Sequence, residues 1–221
     1  MAAKSIEELN DKLLEAQTDY SVSMVDDFFS DKAGAISMFD HNPIFQAYFQ
    51  NVNQPDDIVT YENKYAVLDQ LKNALDNMLE GKAEQCWLAD PRTDRFLLST
   101  GEIAPAELAA VTWDDDVLSS KDTVISEPYL DSASGKMVVS IVSPVFVGSN
   151  VTGFAGFDVF LDSLAETLSG IKVGEEGYLE LISKSSEYIY SDDENAIGKN
   201  VSEIEISDEY KTCLLYTSRC V

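Results

Sequence analysis

Five side chains in the middle of the chain could do chemistry together: Trp113, Asp114, Tyr129, Asp131 and Asp158. Asp158 is the least ordinary, because it interrupts the apolar run from Phe154 to Phe160. A carboxylate in such a run is paired, turned to solvent, or waiting for a cation, since burying an unpaired charge is costly. Asp131 opens the turn-forming stretch 132–135 and reads either as a turn acceptor or as a second acid beside Asp158. Trp113 and Tyr129 offer aromatic faces, which attract cations when desolvated. Both also fit ordinary packing roles, Trp113 in a core and Tyr129 at a strand end after Pro128. Asp114 begins the acid run 114–116, which reads as a solvated face or, at its first residue, as a ligand contact. An ammonium group is the guest that two carboxylates and two rings would welcome.

These residues must be positioned by strands. Thr123–Tyr129 is β-rich, 132–135 is turn chemistry, and Lys136–Val147 is a long β-branched run. A turn at 148–150 leads into Val151–Phe160, where Gly153 and Gly156 predict a bulge or a close backbone approach. The result is an antiparallel meander, which needs cover on one face. Upstream, 84–89 and 96–100 predict a hairpin around the loop 90–94, and 104–111 predicts a short helix with Pro105 at its start.

Helices precede the strands. Ser5 to Glu8 is a capping box, and a long helix is expected over 5–39. Its apolar stripe is Ile6, Leu9, Leu13, Ala16, Tyr20, Met24 and Phe28, with Gly34 as a weak point. Such a helix is either a stalk or dimer helix, or half of a helical hairpin. Pro43 breaks the chain after Asn42, a short helix follows over 44–49, and a third runs over 57–80 with Gly81 as its cap. After residue 161 the order of helix, strand, turn and strand begins again: helix 161–171, strand 177–182, turn 183–187 and strand 188–190.

Composition narrows the function. The 221 residues are 45% apolar, enough for one core or two small ones. Forty acidic against 15 basic residues give a formal charge of −25, which disfavours nucleic acid as a partner and favours cations. The lone His41 and the sparse Cys86, Cys213 and Cys220 supply no metal set, catalytic triad or disulfide framework. No nucleotide cradle is present, so no cofactor and no catalytic residue is assigned and the chain reads as a non-enzyme. No apolar run approaches the roughly 18 residues of a membrane helix, and no leader opens the chain, so Met1 reads as an internal start. Residues 213–221 break abruptly from the acidic text and read as a non-native tail, with the natural chain continuing past about 212.

The stretches 126–131, 135–146 and 153–162 together resemble the double Cache sensor domain, and 171–178 with 197–200 resemble its membrane-proximal half. The resemblance covers about 5–212. It implies an α/β fold: a stalk helix over 1–40, a membrane-distal PAS-like module over 41–160 that holds the ligand, and a second PAS-like module, truncated, over 161–212. Both modules would have antiparallel sheets. It further implies an extracytoplasmic sensor, anchored by membrane segments outside this sequence, in a chemoreceptor or, second, a sensor histidine kinase. A homodimer through the first helix is a further expectation, and a non-sensing surface module is the remaining alternative.

The family's amino-acid-sensing branch carries an Arg two places before a Trp, then a Tyr and two aspartates. With Trp113 as anchor, Tyr129, Asp131 and Asp158 lie 16, 18 and 45 positions on and match that spacing. The Arg position is Val111, an upstream Tyr position is Ala106, and the Tyr that follows the Trp is Asp114. A ligand carboxylate would lack its usual bidentate partner there. The expected ligand is therefore a small amine or quaternary ammonium rather than a zwitterionic amino acid.

Overall fold

The computed structural model describes residues 2–78, 85–108, 111, 113–131, 134–169 and 179–204. The chain divides into two compact units, Asp31–Phe160 and the pair of segments Met1–Ser30 and Leu161–Val221. Helix α1 runs from Ala2 to Ser37 and contributes to both. The expected stripe is only in part its packed face. Phe28 is buried, but Leu9, Leu13 and Tyr20 are more than half exposed, and the other buried side chains among those described are Ser21, Val25, Phe29, Lys32 and Ile36. They step by three or four along a face rotated from the one expected. This helix carries apolar residues on two sides, and tertiary packing chooses between them. The side chains of the expected capping box lie outside the described residues.

In the larger unit, Asn42 accepts hydrogen bonds from the amides of Ile44 and Phe45 at 2.9 and 3.3 Å and so caps α2 (Pro43–Asn51). Pro43 sits at the helix start, where a missing amide costs nothing. The expected third helix is two. Helix α3 (Pro55–Thr60) starts where Asp57 accepts from the amides of Asn53 and Gln54. Tyr61 then turns extended and α4 (Lys64–Asn73) begins afresh, followed by a π-helical turn over Ala74–Met78. On α4, Tyr65 is exposed, whereas Val67 and Leu71 are buried. Gly81 lies outside the described residues.

Strands β1 (Gln85–Asp90) and β2 (Arg95–Leu98) form the expected hairpin. The start of the segment read as a helix over 104–111 instead belongs to strand β3 (Ile103–Pro105) on β2, and residues 109 and 110 of that segment lie outside the described residues. Gly101 explains it: its φ of 90° lets the chain turn tightly back, its amide donating to Leu98 O at 2.8 Å. Pro105 is tolerated because the strand is an edge. The acid run begins a helix absent from the sequence reading, α5 (Asp114–Ser120), with three carboxylates in its first turn, where they favour the positive end of the helix dipole.

The expected single strand over 123–129 is two short ones, β4 (Val124–Ile125) and β5 (Tyr129–Leu130), both pairing with β6 (Met137–Val147). Ser126 parts them. Its hydroxyl accepts from the Ser140 amide at 2.9 Å and donates to Glu127 O, replacing ladder bonds. Strand β6 pairs along its length with β7 (Asn150–Phe160), whose far edge pairs with β1. The strand order is therefore β3-β2-β1-β7-β6-β4, with β5 also on β6. Its centre joins two stretches far apart in sequence.

The glycines of β7 are notches for rings. A β-carbon on Gly153 would lie 2.1 Å from the Phe49 ring of α2, and one on Gly156 would lie 2.5 Å from the Trp87 indole. Side chains alternate across the sheet, so these notches open on opposite faces, one toward α2 and the other toward the candidate site.

In the smaller unit, helix α6 (Leu161–Leu168) is amphipathic, with Leu161, Leu164 and Leu168 buried. Strands β8 (Leu181–Ile182) and β9 (Tyr188–Tyr190) pair antiparallel around the expected turn. Asn200 caps a short 3-10 turn over Val201–Glu203. The expected features within 171–178 and 213–221 lie outside the described residues.

Candidate functional site

Register puts three polar side chains in a row on one face of the sheet. Asp158 of β7 is opposite Ser140 of β6 on one side and Gln85 of β1 on the other. Two residues along β1 from Gln85, on the same face, is Trp87, set into the notch at Gly156. Across β6, Tyr129 enters from β5. The segment after β3 supplies Ala106, Glu107 and Val111.

Between these elements lies a hollow of about 100 Å³, lined among others by Gln85, Trp87, Phe96, Glu107, Tyr129, Asp131 and Asp158. A single water needs about 10–15 Å³ on such a scale, so the hollow has room for several waters or a small organic molecule. Among the described residues its lining includes no Lys or Arg. Lys136, near Asp131 in sequence, is directed over the Phe160 ring at 4.6 Å.

Asp158 is 8% exposed, and neutral donors hold both of its oxygens. The Trp87 indole Nε1 donates to Oδ2 at 3.0 Å, and the Ser140 hydroxyl donates to Oδ1 at 2.5 Å. Because Ser140 has one hydroxyl proton and spends it on Asp158, the 2.7 Å contact between Tyr129 and Ser140 leaves Tyr129 as the donor. A chain of hydroxyls thus runs from Tyr129 through Ser140 to the carboxyl. Burial pushes the Asp158 carboxyl up to about 6. The bonds from Ser140 and Trp87 pull against that, and the charge of Asp131 adds to it. Tyr129 is likewise raised, chiefly by burial and then by the Asp158 charge, and stays protonated.

Three of the five expected site residues, Tyr129, Asp131 and Asp158, line the hollow. Asp131 also accepts from the Ser134 amide at 2.8 Å, so the turn role and the cavity role coexist. Trp113 lies behind the wall. It is fully buried, stacked on Trp87 at 5.4 Å and edge-on to Phe154 at 5.3 Å, and does not line the hollow. Its indole nitrogen makes no hydrogen bond of good geometry among the described residues, but it lies close enough to the Tyr129 hydroxyl to pull against that group's upward shift. The aromatic wall is Trp87, with Trp113 as its backing. Asp114 is half-buried at the start of α5, and its carboxyl accepts from the Asp115 amide rather than lining the hollow. Acids at that point are explained by the helix start.

Sequence reasoning missed Trp87, Gln85, Ser140 and Glu107. The signal for Trp87 was Gly156: the glycine was read as a close approach, but pairing of β1 with β7 was needed to say which ring fills it. Val111 and Ala106, the two positions that depart from the amino-acid pattern, both line the hollow.

No family model matches the chain. Among curated proteins, it is 30% identical over 91 residues to the methyl-accepting chemotaxis protein PscA of Pseudomonas syringae pv. tomato, covering 41% of this chain and 14% of that protein. It is 35% identical over 85 residues to the methyl-accepting chemotaxis protein TlpA of Bacillus subtilis, covering 38% of this chain and 12% of that one. The chain thus matches about a seventh of the length of these relatives. Among solved structures, the Campylobacter jejuni chemoreceptor Tlp3 sensory domain with isoleucine bound superposes with a TM-score of 0.67 at 16% identity, covering 96% of this chain and 80% of that chain. The ligand-binding domain of the Pseudomonas fluorescens chemoreceptor CtaA with L-isoleucine gives 0.67 at 21% identity, covering 92% and 77%. That of the Pseudomonas aeruginosa chemoreceptor PctB with L-arginine gives 0.67 at 18%, covering 89% and 71%. At these identities the likeness shows the fold.

Proposed function

We propose that this chain, whose fold is the double Cache fold of chemoreceptor sensory domains, is the extracytoplasmic ligand-binding domain of a methyl-accepting chemotaxis protein and takes a small amine in the hollow at Asp158. The observation that carries this is a buried carboxyl served only by neutral donors, in a hollow with an aromatic wall and no basic residue among the described lining. An ammonium group supplies the missing charge. It donates to Asp158 and Asp131, each such bond adding roughly 1.5–3 kcal/mol, and lies against Trp87, adding about 2 kcal/mol when desolvated. The acidic surface raises the local concentration of such ligands. Val111 and Ala106 offer a ligand carboxylate no partner, which disfavours a zwitterion.

A second reading has its own support: isoleucine and arginine are the ligands in the complexes of Tlp3, CtaA and PctB. In an amino-acid sensor the ammonium end would sit at Asp158 as before, and Gln85, a neutral donor in the lining, would be available to a carboxylate. Titration calorimetry at pH 7.5 with matched pairs separates the two: 2-methylbutylamine against isoleucine, and agmatine against arginine. The amine reading expects each amine to bind at least tenfold more tightly, about 1.4 kcal/mol. Tighter binding of the amino acids overturns it in favour of the second reading.

Membrane anchoring, a methyl-accepting output module and a homodimer through α1 belong to the same proposal. No helix among the described residues is long and apolar enough to cross a membrane.

A further inference from the structure

Asp158 is a buried titratable group, and the side chains around it come from four elements. Trp87 and Gln85 face it from β1, Ser140 from β6, and Tyr129 and Asp131 from the β5 side. Glu107 lines the same hollow from the segment after β3. Cys86 adjoins on the opposite face of β1, and burial pushes its thiol up to about 12. Among these only Asp131 and Glu107 carry charge, and both are negative. Lys136, before β6, is directed over the Phe160 ring and does not line the hollow. Among the described residues the lining therefore offers Asp158 no cation, two neutral hydrogen bonds, and repulsion from its acidic neighbours. In the ligand-free domain the available positive charge is a proton.

We propose that Asp158 exchanges a proton for the ligand: the ligand-free domain holds the carboxyl in its acid form at mildly acidic pH, and an entering ammonium group expels that proton to solvent. This rests on the reading of Asp158 as the ammonium partner. The two states differ by one proton and one ligand cation, so the charge of the hollow is unchanged by the swap. Ser140 and Trp87 act as positioning residues. Both donate into the carboxyl and favour its charged form, which fixes the pH at which the exchange begins. The consequence is a sensor whose affinity depends on pH below neutrality, although the amine itself stays fully charged there, its pKa being about 10.

The sign follows from linkage. With a carboxyl near pH 6 in the free domain and ionised when bound, binding at pH 7.5 releases almost no proton, and at pH 5 releases about 0.9 per ligand. Affinity for the amine is then about tenfold weaker at pH 5 than at pH 7.5. Calorimetry with 2-methylbutylamine at both pH values, each in two buffers of different ionisation enthalpy, reads the released proton directly. Ser140→Ala should move the onset to higher pH, which loss of packing alone would not do. A ligand-free readout accompanies it: the Trp87 indole N–H resonance should titrate near pH 6 and lose that titration in Asp158→Asn. Equal affinity at both pH values with no proton released overturns the exchange while leaving the ligand reading standing. A flat indole resonance between pH 4.5 and 7.5 does the same. Failure of the amine to bind at either pH overturns both.

Discussion

The two faces of the central sheet use the same device and end differently. On the face toward α2, Phe49 drops into the notch at Gly153, and the odd positions of β7 continue as Ala155, Phe157 and Val159, all buried and apolar. On the other face, Trp87 drops into the notch at Gly156, backed by Trp113 and Phe154, but the next even position is Asp158. One face is filled. The other stops one pleat short and leaves a hollow. A ring in a glycine notch therefore does not itself mark a site. The polar position beside it does, because the carboxyl there has no cation among the described residues, whereas the buried Asp90 on the other face is held by Arg92 at 2.8 Å.

The largest test of that contrast is Trp113→Ala. If Trp113 is backing rather than wall, the cost is stability: about 3–5 kcal/mol, as for other buried tryptophans. That lowers the melting temperature on the order of 10 °C, measured by calorimetry or circular dichroism. A variant that keeps its stability and loses only ligand affinity would return Trp113 to the wall.

Asp158→Asn comes next. A carboxyl raised from 3.8 to about 6 by folding costs stability once ionised. The cost is absent below the unfolded value, grows as pH rises from about 4 to 6, and is full above that, reaching about 3 kcal/mol. The asparagine variant should therefore be more stable than the parent at pH 7.5 and lose that advantage as pH falls toward 4, while amine binding disappears. Denaturant unfolding at both pH values checks it. An advantage independent of pH would mean that the carboxyl is not buried as described.

How much of this could be read beforehand differs by element. The β6–β7 pair was legible because β-branched runs flank a Gly-Ser-Asn turn, and Asp158 stood out against its own neighbours. Trp87 did not, because its role depends on β1 pairing with β7 across some 70 residues, which no local pattern encodes. Trp113 was placed on the wall by spacing alone, and spacing along a chain does not say which of two stacked rings meets the cavity. Ala104 and Pro105 were read into a helix because Pro105 suits a helix start, whereas Gly101 at φ 90° turns the chain so that they join an edge strand. The buried face of α1 was legible only in part because apolar residues occupy two sides of it.

The two notches can be compared directly. Gly153→Ala and Gly156→Ala should each cost about 2 kcal/mol by overpacking against a ring. Only Gly156→Ala should also weaken amine binding, since it displaces Trp87. Equal binding losses in the two variants would erase the distinction between the faces. The smallest expected effect is Val111→Arg, which places a guanidinium at the hollow. It should shift preference toward the amino acid of each matched pair by about tenfold, or 1.4 kcal/mol.

The chain holds two tryptophans, so its indole N–H signals are two and can be assigned with Trp87→Phe. Following both by NMR during titration with 2-methylbutylamine at pH 7.5 tests most directly whether a cation enters beside Asp158. The Trp87 signal should move to saturation while that of Trp113 stays nearly fixed. A saturating amine that leaves Trp87 unmoved, or that moves Trp113 alone, would contradict the account.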